Sequence, residues 1–232
     1  MFKLNNATGG YKKTTIIRDV SIFIAENEIV ALLGRNGAGK TTAIKFALGL
    51  IDIFGGTTSI DEKELPASTA RRVKVGIGYV PQGRNVFPRL TVLENVAAAA
   101  IACGHKRAEA EERALSDFPM LKPKANALAG SLSGGQQQVL AIARALATKP
   151  RILILDEPTE GVQPSIVDEI AEVIRKLNKE KGLAVLVAEQ DLDFCMSLAD
   201  RAYVMDKGVI ARKATKTEIL SDLELQHELL GV

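Results

Sequence analysis

An α/β fold, with a mainly parallel sheet covered on both faces and a helical insert, is what this sequence of 232 residues predicts. Three observations carry that expectation. Apolar runs of strand length at 29–33, 152–155 and 183–187 are each followed by a helical pattern. Such alternation argues for parallel strands buried on both faces. Between residues 83 and 150 the chain turns Ala-, Glu- and Leu-rich with helical spacing. Finally, the first apolar run opens into a glycine-rich loop, Gly34 to Thr42, directly before a helical pattern.

Taken in order, residues 1–82 read mostly as short strands, with period-two alternation at 20–24 and 57–60. A helix is expected over 42–50, beginning near Lys40. Thr91 stands three residues before Glu94, the spacing of a capping box, so a helix should start there. Ser133 can cap another, from about residue 135 to 148. Further helices are expected near 165–181 and from Asp191 onward. One domain, 1–232, accounts for this pattern. Its α/β core is formed by 1–82 and 151–232, and 83–150 is the insert.

Composition excludes several classes. The chain is 47% hydrophobic and 25% charged with a net charge of +2, as expected of an ordinary folded protein. It has no basic stripe of the kind that binds nucleic acid. Cys103 and Cys195 lack partner spacing and read as reduced thiols. His105 and His227 lie away from every motif and read as surface residues. The first six residues carry no signal-peptide pattern. The longest apolar stretch, 96–103, is far short of the ~20 residues that span a bilayer.

The chemistry begins at Gly34-Arg35-Asn36-Gly37-Ala38-Gly39-Lys40-Thr41-Thr42, a complete G-x-x-x-x-G-K-T loop between strand and helix. The glycines let the backbone turn tightly and aim N–H groups inward, and the helix adds its positive N-terminal end. Lys40 is placed to reach the β- and γ-phosphates, and the Thr41 hydroxyl to ligate magnesium. This predicts nucleoside triphosphate binding. A second apolar run ends in Asp156-Glu157. A buried strand has little reason to end in two acids, unless Asp156 holds the magnesium and Glu157 orients or deprotonates the attacking water. A third motif, Leu132-Ser133-Gly134-Gly135-Gln136, exposes main-chain N–H groups at a helix start, a second anion-binding end.

With that third motif the sequence resembles the ATP-binding subunits of ABC transporters, over essentially the whole chain and in the family's motif order. The resemblance implies a P-loop NTPase (RecA-like) core with an N-terminal antiparallel β subdomain. It implies ATP and Mg2+ as cofactors and a head-to-tail dimer in which Ser133, Gly134, Gly135 and Gln136 complete the opposite subunit's site. It also assigns Tyr11 to stacking on adenine, Gln82 to magnesium and the γ-phosphate, and Thr42 to an added phosphate contact. Partners implied are a second ATP-binding subunit, identical or related, integral permease subunits, and indirectly an external substrate-binding protein. The location implied is the cytoplasmic face of the cell membrane.

Two positions depart from the family pattern. Gln190 stands where a histidine usually contacts the γ-phosphate; its amide can donate a hydrogen bond but cannot become a cation. Gln163 stands where an aspartate is frequent. Together with Gln136-Gln137-Gln138, Pro81-Gln82-Gly83-Arg84 and Phe87-Pro88-Arg89-Leu90, Gln190 resembles importers of branched-chain amino acids and of urea or short amides. Residues 156–166 look nearest to the urea type. The short polar helix expected to end at Val232, in place of an added regulatory domain, agrees. The apolar loop 85–90, Phe87 above all, is expected to meet the permease. A nucleotide-operated clamp and a low-turnover regulatory module are the competing readings. The insert lacks the sustained heptads of the first, and Lys40, Asp156 and Glu157 argue against the second.

Overall fold

The N-terminal alternation becomes an antiparallel hairpin. β1 (Phe2–Tyr11) and β2 (Thr14–Ile24) meet across a two-residue turn in which Lys12 takes a φ of 57°. The structure, a computed structural model, describes residues 1–222 and 226. β3 (Ile29–Leu33), buried along its whole length, leads through the glycine-rich loop into α1 (Lys40–Leu48). β4 (Asp52–Ile60) returns to β1, and β5 (Lys63–Glu64) completes an antiparallel sheet in the order β2-β1-β4-β5. After α2 (Thr69–Val75) and β6 (Ile77–Val80) the chain turns helical. It forms α3 (Val92–Ala102), α4 (Arg107–Asp117), two short 3-10 turns and α5 (Gly134–Leu146). Strand and helix then alternate as β7 (Ile152–Asp156), α6 (Pro164–Lys181), β8 (Ala184–Glu189) and α7 (Leu192–Leu198). β9 (Arg201–Asp206), β10 (Val209–Thr215) and α8 (Lys216–Ser221) follow.

The larger sheet runs β10-β9-β3-β8-β7-β6, and only its β9–β10 pair is antiparallel. Register sets Leu33 beside Glu189 and Asp156 beside Ala188. The ends of β3, β7 and β8 therefore release their loops at one edge, where ligands bind in open α/β sheets. The two-residue period divides each central strand between two cores. Val30, Leu32, Ile152, Ile154 and Leu186 pack with Phe2, Ile22, Ile44 and Phe46, beneath the antiparallel sheet. Ala31, Leu33, Leu153, Leu155, Val185 and Val187 pack with Val139, Ile142, Ile170 and Ile174 of the helices. Each such large apolar side chain contributes about 1.5–3 kcal/mol on burial, so the sheet is anchored from both faces.

The capping box forms as its spacing predicts, Thr91 with Glu94, and Ser133 caps its helix as expected, in a box completed by Gln136. Boundaries shift where glycine or a turn intervenes. α1 ends at Leu48 because Gly49 caps it in the left-handed region, and α5 ends at Leu146 ahead of Lys149 at φ 51° and Pro150. Cys103 and Cys195 are free thiols. His105 is partly exposed, and its Nε2 lies 3.0 Å from the Thr148 carbonyl oxygen at the end of the insert. His227 and the expected end of the terminal helix lie outside the described residues. Among those residues no helix is long and apolar enough to cross a membrane.

Candidate active site

The loop between β3 and α1 is shaped by what its glycines permit. A Cβ on Gly34 would collide with the Met205 carbonyl, and Gly39 caps α1 at a φ of 108° that side chains rarely adopt. Lys40 is 4% exposed. Its ammonium donates to the Gly34 carbonyl at 2.7 Å and pairs with Glu157 Oε1 at 3.3 Å. Tyr11, Ile16, Arg35, Gly37 to Thr42 and Glu157 line one cleft. Tyr11, at the end of β1, is 43% exposed there, with the Lys45 ammonium 6.0 Å from its ring centre.

β7 delivers two carboxylates to different places. Asp156 is fully buried, and its oxygens accept from the Thr41 hydroxyl at 3.0 Å and the Tyr79 hydroxyl at 3.4 Å. Burial pushes the Asp156 carboxyl above its ordinary pKa, opposed by the Thr41 hydrogen bond and reinforced by the Glu157 charge. Burial and the nearby Asp156 charge together raise Tyr79. Glu157 sits at φ 48°, a left-handed backbone that costs a non-glycine residue on the order of 1 kcal/mol. Its amide donates to the Ala188 carbonyl at 2.9 Å, which holds the turn. The reversal is what aims Glu157 at Lys40 while Asp156 faces Thr41.

Hard oxygen donors crowded around a buried carboxylate suit a hard dication. Thr41 Oγ1 and Asp156 Oδ1 converge, and a cation would offset the desolvated charge of Asp156. Among the described residues no cluster of three or more His, Cys, Asp or Glu could hold a metal. A magnesium ion at Thr41 and Asp156 would therefore share its shell with phosphate oxygens and water. Gln82 reaches this edge through its amide N–H groups, which donate to Glu157 at 2.9 Å and to Glu160 at 3.0 Å. Its Oε1 is the atom it could offer a cation.

The remaining expected residues fall in two places. Gln190 is exposed at the end of β8, one residue beyond the Leu33–Glu189 pairing and hence beside the start of the phosphate loop. Ser133 caps α5, accepting from the Gln136 amide at 3.4 Å. None of Ser133, Gly134, Gly135 or Gln136 lines the phosphate cleft of its own chain. Gly135 also has a packing reason, since a Cβ there would collide with Ile166 on α6. Gln163 caps α6 without a side-chain hydrogen bond, where an aspartate could have supplied one.

Sequence reasoning passed over three groups. Arg84 Nη2 donates to the Gly161 carbonyl at 2.9 Å, and its guanidinium covers Gly134, tying the segment after Gln82 to two other loops. Asn95, fully buried on α3, accepts from the Phe87 amide at 2.8 Å. It donates to the carbonyls of Phe87, Leu90 and Thr91 at 2.9–3.3 Å. Phe87 itself is 49% exposed, its ring under the Arg144 guanidinium at 5.0 Å. Glu189 is buried behind Gln190. Its signal was readable, an acid ending an apolar strand.

A strand, a glycine-rich phosphate loop, a lysine under it and an acid pair on the neighbouring strand define a nucleoside-triphosphate hydrolase of the P-loop class. Residues 17–160 match the family model described as ABC transporter. The chain is 37% identical over 235 residues to the high-affinity branched-chain amino acid transport ATP-binding protein BraG of Pseudomonas aeruginosa, covering 100% of both. It is 36% identical to the probable branched-chain amino acid transport ATP-binding protein LivF of Archaeoglobus fulgidus, covering 100% of this chain and 99% of that one. It is 35% identical to the lipopolysaccharide export system ATP-binding protein LptB of Escherichia coli, covering 97% and 95%. Among solved structures it resembles a dimeric ATP-binding cassette in a post-hydrolysis state bound to ADP and Pi. There the TM-score is 0.82 and the identity 31%, over 93% of this chain and 99% of that one. The chain belongs to the ABC transporter ATP-binding family, and it is an ATPase.

Proposed function

We propose that this chain powers an importer of branched-chain amino acids, working at the cytoplasmic face of the membrane with permease subunits and a second ATP-binding subunit. The observation that carries this reading is end-to-end similarity to BraG and LivF, with no part of the chain left over. Each MgATP is held by one subunit's Gly34–Thr42 loop, with Tyr11 stacked on adenine. The other subunit's Ser133–Gly135 helix start covers the phosphates, which is why those residues stand away from the cleft of their own chain. Thr41, Asp156 and Gln82 would hold a magnesium ion, which would supply charge neutralisation to the triphosphate. Lys40 holds the γ-phosphate, Glu157 takes the proton of the attacking water, and Gln190 donates to the γ-phosphate. Phe87 and its loop meet the permease; Asn95 gives that loop a fixed shape. LptB, at 35% identity, supports a second reading, an exporter of lipopolysaccharide.

Uptake separates the readings. Cells lacking the protein should recover labelled leucine uptake with the wild-type gene and not with Glu157→Gln. Recovery of urea uptake alone would move the chain to the amide importers, and recovery of lipopolysaccharide export alone would move it to the exporters. The sandwich has its own check. Glu157→Gln in MgATP should scatter light as a dimer, and a monomer at saturating ATP would count against it.

A further inference from the structure

Glu189 closes β8 and is 2% exposed. Its Oε1 accepts from the Thr159 amide at 3.0 Å and the Thr159 hydroxyl at 2.5 Å. Its Oε2 accepts from the Gln190 amide at 3.0 Å and the Asp191 amide at 3.4 Å. One oxygen thus serves the loop that leaves Glu157, and the other serves the turn that carries Gln190. We propose that Glu189 is a positioning residue for ATP hydrolysis, locking these two loops together so that Glu157 and Gln190 flank the γ-phosphate at a set spacing. The proposal rests on the ATPase reading and adds to it a residue that touches neither nucleotide nor cation.

Three features favour this role over simple packing. All four partners donate, and two loops end on one carboxylate; a buried polar group is tolerated when its hydrogen-bonding capacity is filled in this way. The start of α7 does not need Glu189, because the Asp191 side chain already caps it by accepting from the Phe194 amide at 2.9 Å. And Glu157 leaves β7 through a left-handed residue, so the direction of its loop depends on an anchor close behind it, which Thr159 provides. Glutamine at position 189 could satisfy one loop with its oxygen, but it would turn an NH2 group towards the donors of the other.

Two measurements on the intact chain test this. Without nucleotide, Glu189→Gln should speed amide exchange in 157–161 and in 190–192 together. With MgATP, the same variant should lower kcat about 10- to 100-fold and leave KM for ATP within about two-fold, the signature of misplaced groups and not lost binding. Thr159→Val, which removes only the hydroxyl bond, should lower kcat about 2- to 10-fold. Combined with Gln190→Ala it should be non-additive, and additive again when Glu189 is also replaced. Faster exchange in one segment alone, an unchanged kcat, a loss confined to KM, or additivity in the presence of Glu189 would each overturn the proposal. A wild-type chain that releases no phosphate would count against the ATPase reading instead, and the exchange pattern would still decide whether Glu189 joins the loops.

Discussion

β7 and β8 lie side by side, and each ends in a buried acid, yet the two acids are surrounded in opposite ways. Asp156 accepts hydrogen bonds from two hydroxyls, one of them at 3.4 Å, and burial raises its pKa. Glu189 accepts four hydrogen bonds, three of them from backbone amides. Asp156 is left short of compensation, so it is suited to a cation that arrives with the nucleotide. Glu189 is already satisfied and holds main chain in place. The same sequence signal, an apolar strand ending in an acid, therefore marks two jobs, and the neighbouring donors decide which.

The comparison makes measurable demands. The largest effect should fall on the β7 side, where Glu157→Gln lowers phosphate release by roughly 10²- to 10⁴-fold, the range for loss of a general base. A loss no greater than that of Glu189→Gln would erase the distinction between the chemical and the positioning end. Thermal midpoints of the nucleotide-free chain should then move in opposite directions. Glu189→Gln removes bonds to a charged group, costing about 2 kcal/mol, or roughly 4–8 °C. Asp156→Asn should raise the midpoint at neutral pH, because it removes a desolvated charge. The sign follows from linkage: a carboxyl whose folded pKa lies above its unfolded value holds its proton more tightly when folded. The Asp156 contribution to wild-type stability should therefore fall as pH rises from the ordinary value of 3.8 through the raised one. In Asp156→Asn that part of the pH dependence should vanish, and an unchanged calorimetric profile would contradict the assignment. The smallest effect belongs to Tyr79→Phe, whose long bond to Asp156 should cost at most about 1 kcal/mol in stability.

Much of this architecture is legible along the chain because its determinants are local. The buried strands are apolar runs, the phosphate loop is contiguous, and the Thr91–Glu94 capping box is spelled by residues three apart. The β9–β10 hairpin was not anticipated, since β10 is an edge strand exposed along most of its length and carries little alternation. β1 is equally faint, with Asn5, Asn6, Gly9 and Gly10 in a strand whose pairing slips at several points. In the site, Gln82 meets Glu157 and Glu160 across 75 and 78 residues, and Arg84 meets Gly161 across 77. No local period encodes such meetings; they follow from sheet order. Glu189 could have been noticed by the argument that singled out Asp156, but which donors would surround it depended on the path of the loop after Glu157.

Asn95 binds the segment Phe87–Thr91 at four points from within a core, so that segment has little freedom to bend on its own. Mechanically it is a bracket and not a spring. If Phe87 meets a permease as proposed, a load on its exposed ring would pass into α3, which packs against α5, the helix that Ser133 caps and the paired glycines begin. Stiffness at one buried amide would then set how faithfully a push at the surface becomes a movement of the Ser133 helix start.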